Sequence, residues 1–211
     1  MHMEFKMEQV LPADIERRSF EIIESELPHP IDPALAPIIK RVVHTSADFD
    51  YVDNLCFSEN VVEKALNAIR SGADIVTDTT MARSGINKTE LAKYGGEAHC
   101  FIADEDVKLA AKANGTTRAV ASMDKAASLN KPVIIAVGNA PTALVRLYEM
   151  ITQGEFRPEL IIGVPVGFVN VVPSKELIMT AGVPYIVARG RKGGSNVAAA
   201  ICNALLYMLR S

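Results

Sequence analysis

Beyond about residue 60 the chain alternates short, wholly apolar runs rich in β-branched residues with longer stretches in which apolar positions return every three or four residues. The short runs predict strands at residues 73–79, 98–102, 133–137, 160–164 and 185–188, each about the length of a buried strand. Helices are expected between them, at 60–71, 105–114, 141–153, 174–181 and 195–209. In the third of these, Leu144, Leu147, Tyr148 and Ile151 fall on one side. Strands that are apolar on both faces and separated by helices belong to a parallel sheet covered above and below. The expected fold class is therefore α/β: a three-layer α/β/α arrangement with a mostly parallel sheet of about five strands and a helical N-terminal third free of strands. In that third, Pro12 to about Glu26 predicts one helix, broken by Pro28-His29-Pro30. A second is expected with Asp32 as N-cap and Pro33 at its first position, running to about Thr45. No linker, repeat or low-complexity tract interrupts the chain, so residues 1–211 read as one domain.

Composition supports a packed, aliphatic core. Of 211 residues, 49% are hydrophobic and 22% charged, so wholesale disorder is excluded. Trp is absent and only 6% of residues are aromatic, poor material for stacking single-stranded bases. With a net charge of −3, an extended nucleic-acid footprint is excluded as well. Cys56, Cys100 and Cys202 stand alone in the sequence, which argues against a disulfide framework or a thiolate metal site and points to the cytoplasm. The first eight residues lack the apolar stretch of a signal peptide. The longest uncharged runs, 160–174 and 193–209, fall short of the roughly 20 residues of a membrane helix. No membrane partner is expected.

The charge is unevenly spread. The first 30 residues hold seven acids and three bases, whereas beyond Glu176 there are only bases: Arg189, Arg191, Lys192 and Arg210. A near-neutral total thus hides a basic C-terminal end suited to an anion.

Four places could hold chemistry. Arg41 and His44, three apart on a predicted helix, share a face and offer a carboxylate clamp beside a group that titrates near neutrality. The stretch 77–86 follows the first long strand and gathers Thr79, Arg83, Asp78 and further hydroxyls where open α/β sheets bind ligands; it reads equally as a hydrogen-bonded turn. Gly138-Asn139-Ala140-Pro141-Thr142 leads from a strand into a helix whose free N–H groups could receive an anion, or simply caps that helix. The fourth, Arg189-Gly190-Arg191-Lys192-Gly193-Gly194-Ser195, joins a strand to a long helix through a basic glycine-rich loop, and an anion-binding role is expected. Its spacing fits neither dinucleotide nor P-loop signatures, so carboxylates suit it as well as phosphate. Of the other histidines, His2 sits near the terminus, His29 lies between prolines and His99 reads as a satisfied core residue. Met81, Met123, Met150, Met179 and Met208 read as core or interface filler.

These segments in combination, Arg41-Val42-Val43-His44, 77–81, 138–144, 163–169 and above all 188–195, resemble the precorrin-8X methylmutase (precorrin isomerase) family of cobalamin biosynthesis, from about Arg17 to Met208. The resemblance implies an isomerase that moves a methyl group between neighbouring carbons of ring C of a corrinoid precursor, precorrin-8X or cobalt-precorrin-8, giving the hydrogenobyrinic or cobyrinic acid skeleton. It implies that His44 is the proton donor or acceptor, and that Arg41 and Ser19 contact substrate; Arg18 can also fill the Ser19 column. It further implies a homodimer and no cofactor, with any cobalt carried by the substrate.

A polycarboxylate of this kind needs many donors at its rim. Thr79, Arg83, Arg118, Asn139, Arg189, Arg191, Lys192, Gly193 and Ser195 are the residues expected to supply them, with no metal-ligand set. Aliphatic side chains are expected against the face of the macrocycle. A non-catalytic tetrapyrrole carrier of the same fold is the alternative, and a phosphate-using enzyme built on the glycine loop a weaker one.

Overall fold

The computed structural model describes residues 9–210, so the reading of the first eight residues, His2 included, lies outside the described residues. All five predicted strands are present, as β2 (Asp74–Thr77), β3 (Ala98–His99), β4 (Val133–Val137), β5 (Leu160–Gly163) and β6 (Tyr185–Ala188), and they run parallel. A sixth strand, β1 (Leu55–Phe57), precedes them and pairs antiparallel with β6, Leu55 opposite Ala188. This corrects both the count of about five and the strand-free N-terminal third. Three residues are too few to show a period of two, and β1 takes its conformation from the open edge of β6. Flanking bonds from Arg189 N–H to the Asn54 carbonyl (2.7 Å) and from Ser58 N–H to the Tyr185 carbonyl (3.0 Å) extend the pairing.

The order across the sheet is β1-β6-β5-β4-β2-β3. From β2 the chain steps outward to β3 and then returns past it to β4, so the direction of winding reverses between β2 and β4. The crevice beyond the carboxyl ends of those two strands is where folds of this kind admit ligands.

Side chains alternate across the sheet. Ile134, Ala136, Leu160, Ile162, Ile186 and Ala188 enter one core; Val133, Ile135, Val137, Ile161 and Val187 enter the other. The first core is covered by α1 (Ile15–Ser25), α2 (Ala36–Ser46), the short α3 (Tyr51–Asn54), α4 (Val61–Arg70), α5 (Thr80–Gly85) and α6 (Lys88–Ala92). The second is covered by α8 (Arg118–Ala127), α9 (Pro141–Thr152) and α10 (Val171–Ile178), with α7 (Glu105–Ala113) packed on α8. The last helix, α11 (Ser195–Met208), returns to the first face.

Two helix starts differ from expectation. The Asp32 carbonyl accepts from Leu35 and Ala36 N–H, both at 2.9 Å, and its carboxylate from Ala34 N–H. These bonds make Asp32–Leu35 a separate turn, and α2 begins after it. In the other case α10 starts three residues early, because Asn170 adopts a left-handed φ of 58° and turns the chain there.

Helix α11 has an unbroken buried run from Val197 to Cys202, so no face of that stretch is left to solvent. Helices α2, α4 and α5 pack against it. The apolar surface of that stretch is thus covered by its own chain. Alanine and glycine let the helices approach this closely. A Cβ on Gly85 of α5 would stand 2.9 Å from the Ala199 Cβ. Gly85→Ala is expected to lower stability by about 1–3 kcal/mol through overpacking, read from the urea midpoint, with favourable coupling to Ala199→Gly in a double-mutant cycle.

Candidate functional site

Strand β2 ends at Thr77 and runs on through Asp78 to Thr79, and the polar side chains there turn inward. The Asp78 carboxylate, 2% exposed, accepts from the N–H groups of Gly138 (2.8 Å), Asn139 (2.8 Å) and Ala140 (2.7 Å). Burial pushes this carboxyl above its usual range, while the three donors pull the other way. The N–H groups leading into α9 are thus occupied by the chain's own acid. This corrects the reading in which they stand free for an anion. Asn139 itself remains exposed at the rim.

Thr79 caps α5 by accepting from Ala82 N–H (3.1 Å), and its hydroxyl lies 2.7 Å from that of Ser195. The two expected ligand contacts therefore meet each other, tying β2 to the start of α11. Gly138 sits in the same knot, where a Cβ would fall 2.8 Å from the Ser195 Cα. Only glycine fits there. Arg83, on α5, donates its Nε to the Ala98 carbonyl at 2.8 Å. Arg118 opens α8 and is exposed; its neighbour Thr117 approaches Thr142 on α9 (3.3 Å), which brings Arg118 to the same rim as Asn139.

The basic loop after β6 is zipped to the loop after β5. Gly194 N–H donates to the Val164 carbonyl (2.8 Å) and Gly167 N–H to the Arg191 carbonyl (3.1 Å). A Cβ on Gly193 would collide with the Val164 oxygen at 2.1 Å. Beneath the loop Lys175, with no solvent exposure, donates to the carbonyls of Gly190 (2.9 Å) and Lys192 (2.8 Å).

The loop's cations are unequally committed. Arg189 pairs with Glu176 (2.9 Å), and Lys192 with both Asp48 and Asp50 (2.6 Å each), which hold its ammonium above the ordinary lysine range. Arg191 instead lies over the ring of Phe168, 5.4 Å from its centroid. Among the described residues no carboxylate pairs with Arg83, Arg118 or Arg191. Around them Met81 (72%), Phe168 (81%) and Val169 (78%) are exposed. Met81 is therefore not core, and the apolar rim includes an aromatic ring as well as aliphatic groups.

The second cluster lies on α1 and α2. As expected from their spacing, Arg41 and His44 share a face, and both touch Phe20. The Arg41 guanidinium stands 4.9 Å from the Phe20 centroid and 5.0 Å from that of Tyr207, and it pairs with Glu16. The His44 ring stacks on Phe20 at 5.4 Å and is exposed. Ser19, beside Phe20, donates its hydroxyl to the Ile15 carbonyl at 2.9 Å. A cavity of about 660 Å³ lined by Phe20, Leu27, Ile31, Lys40, Arg41 and Tyr207 adjoins this group, and His44 lies outside it.

Tyr207 and Ser195 are twelve residues apart on α11, roughly 18 Å by helix rise. Helix α2 runs the opposite way along it, from Arg41 at Tyr207 toward Asp48 at Lys192. His44 thus falls between the cavity and the basic loop.

Sequence reasoning misses Lys175, Phe20 and Phe168 as site residues, and it places Asp78 in the polar stretch 77–86 without showing it as the acceptor for the N–H groups of 138–140. Lys175 had a signal in the sequence: Val171, Ser174, Lys175 and Ile178 form one buried stripe, with a lysine at an apolar position. Elsewhere, His29 bonds Asp53 (2.8 Å), and His99 bonds the buried Asp74 (3.2 Å) as a satisfied histidine. Among the described residues no cluster of His, Cys, Asp and Glu is placed to hold a metal ion, and no helix is long and apolar enough to cross a membrane.

A doubly wound sheet with hydroxyl and cationic side chains gathered beyond its strand ends is the class of α/β protein that takes small ligands there. Comparison with known proteins narrows the class. The family model for precorrin-8X methylmutase matches residues 14–208. Cobalt-precorrin-8 methylmutase from Priestia megaterium is 46% identical, covering 99% of this chain and 93% of its own, and that from Salmonella typhimurium is 48% identical over 94% and 96%. The precorrin-8X methylmutase of Pseudomonas aeruginosa is 37% identical over 90% and 93%. The crystal structure of precorrin-8X methyl mutase from Thermus thermophilus matches with a TM-score of 0.84 at 40% identity, covering 93% of this chain and 98% of that one. The chain belongs to the precorrin-8X methylmutase family and is an isomerase of cobalamin biosynthesis.

The Asp78 knot has a measurable worth. Asp78→Asn replaces one acceptor oxygen with a donor facing N–H groups, and a loss of about 1–3 kcal/mol is expected from urea unfolding. Asp78→Ala, which leaves all three donors buried and unmet, should lose more.

Proposed function

We propose that this isomerase moves a methyl group between neighbouring carbons of ring C of cobalt-precorrin-8 or precorrin-8X, giving the cobyrinate or hydrogenobyrinate skeleton, with His44 as the proton donor or acceptor. The observation that carries the reading is the exposed His44 ring stacked with Arg41 on Phe20, between a cavity and a basic loop, in a chain of this family. The shift is intramolecular, so the atoms of the product are those of the substrate. What it requires is a proton, or a strong hydrogen bond, on the conjugated macrocycle as electrons redistribute. We take it to need no methyl donor or resident cofactor. The cobalt-loaded substrate is favoured by the names of the relatives at 46% and 48% identity.

The acetate and propionate arms would reach Arg191, Arg118, Asn139 and Arg83 at the strand ends, and Arg41 and Ser19 beside the histidine. Arg189 and Lys192 would exchange a protein carboxylate for one of the substrate's, while Thr79, Gly193 and Ser195 shape the seat. Phe168, Val169 and Met81 would lie against the macrocycle's apolar face or a second subunit. We further propose a cytoplasmic homodimer. In its support, His44 and the strand-end residues stand exposed in a single chain, beside uncovered apolar groups, and all three cysteines are unpaired.

Purified protein given cobalt-loaded or metal-free substrate should convert it, followed by the visible spectrum of the rearranged corrin. His44→Ala should lower kcat by roughly 10²–10⁴-fold, the usual worth of a placed acid or base; full turnover in that variant would remove the proton role. Bound but unchanged substrate in single-turnover mixing would identify a carrier instead. Sedimentation should give a particle of two chains, and a monomer at assay concentration would overturn the dimer.

A further inference from the structure

Lys175 heads the largest side chains that are fully shut off from solvent. Its ammonium is met by two backbone carbonyls, those of Gly190 and Lys192, and by no carboxylate among the described residues. Glu176, next to it, is engaged by Arg189. A buried cation solvated only by carbonyl dipoles costs stability that a methionine on the same stripe of α10 would not. Its effect on the loop is specific. The carbonyls of Gly190, Arg191 and Lys192 are all taken up inside the protein, the middle one by Gly167 N–H. Among the described residues no acceptor meets the N–H groups of Gly190, Arg191, Lys192 or Gly193. Successive N–H groups left without an internal acceptor are the makings of an anion-binding concavity.

We propose that Lys175 is a positioning residue for substrate binding: by drawing the carbonyls of Gly190 and Lys192 inward, its ammonium holds the N–H groups of 190–193 and the Arg191 side chain outward to receive a carboxylate of the substrate. The inference rests on the polycarboxylate reading above. It adds a residue that touches no substrate yet sets how tightly substrate is held.

The charge on Lys175 is adjustable within a working range, because burial pushes its ammonium down to about 8. Burial alone sets that shift. The charged groups on its own helix and the loop are Glu176 with Arg189, Arg191 over Phe168, and Lys192 with Asp48 and Asp50. Helix α9, packed against α10, carries Tyr148 and Arg146, the latter paired with Asp124 and Glu149. The β5–α10 loop, 164–170, brings no titratable side chain. Below pH 8 the lysine is charged and grips both carbonyls. Above it the neutral amine grips them weakly, while substrate carboxylates stay ionised throughout.

The test is KM and kcat of the full chain from pH 6.5 to 9.5, with hydrogen exchange in the unliganded protein of the Gly167 and Gly194 amides, whose bonds to Arg191 and Val164 hold the loop in place, corrected for the intrinsic effect of pH. In the wild type, KM should rise roughly tenfold through one step near pH 8, about the worth of a single charge-assisted hydrogen bond, while kcat follows its own profile. Protection of those two amides should fall over the same interval. In Lys175→Met, KM should be raised already at pH 7 and flat with pH, with the two amides weakly protected throughout. A pH-flat KM in the wild type overturns the proposal without any variant, and so does a Lys175→Met protein with the wild-type profile. The exchange step needs no turnover. An inactive wild type that still shows it would sink the proposed reaction and leave the lysine's hold on the loop standing; an active one without it would sink the hold alone.

Discussion

A carboxylate buried at the point where the sheet reverses its winding fixes the geometry of the whole strand-end surface. Asp78 accepts from three successive N–H groups, which sets the path of the chain between β4 and α9. That path places Gly138 against Ser195, and Ser195 in turn meets Thr79, one residue beyond the carboxylate. Two strands and two helices are therefore held in register by one acid. Lys175 does the converse at the other end of the site, where it takes up carbonyls. No buried side-chain nitrogen or oxygen among the described residues is left without a partner, so this inner frame is internally satisfied. What remains for a ligand is an outer set of side chains and N–H groups.

The sequence shows the layers of this fold more readily than its seams. Val133–Val137, apolar at every position, can only be a strand buried on both faces, and it lies at its expected bounds. Leu55-Cys56-Phe57 has no such pattern, since pairing with a distant edge decides its conformation. The site divides the same way. Arg41 and His44 were legible because helical spacing alone puts them together. Asp78 and Gly138 are sixty positions apart, and no local pattern could say that one would occupy the N–H groups beside the other. Lys175 was legible in principle, as a charge on an apolar stripe, but its meaning depends on a loop that arrives fifteen residues later.

Ion pairing across the surface changes how affinity can arise. Arg41, Arg189 and Lys192 already hold protein carboxylates at partly exposed positions, where such pairs are worth little. A ligand carboxylate that displaces one of them gains only the difference between two similar contacts. Net attraction then falls to Arg83, Arg118 and Arg191, with burial of the exposed Phe168 and Val169. Such a surface favours a ligand that engages many points at once over a small anion that engages one.

The antiparallel pairing of β1 with β6 also orders events in time. The segment carrying Arg41 and His44 leaves the ribosome before its partners, β6 and α11, are made. Until they appear, α2 has only its chain neighbours α1 and α3 to pack on. The region that bears the proposed catalytic residue is then made well before it can settle, and during that interval both the apolar face of α2 and the unpaired β1 are open to capture by other chains.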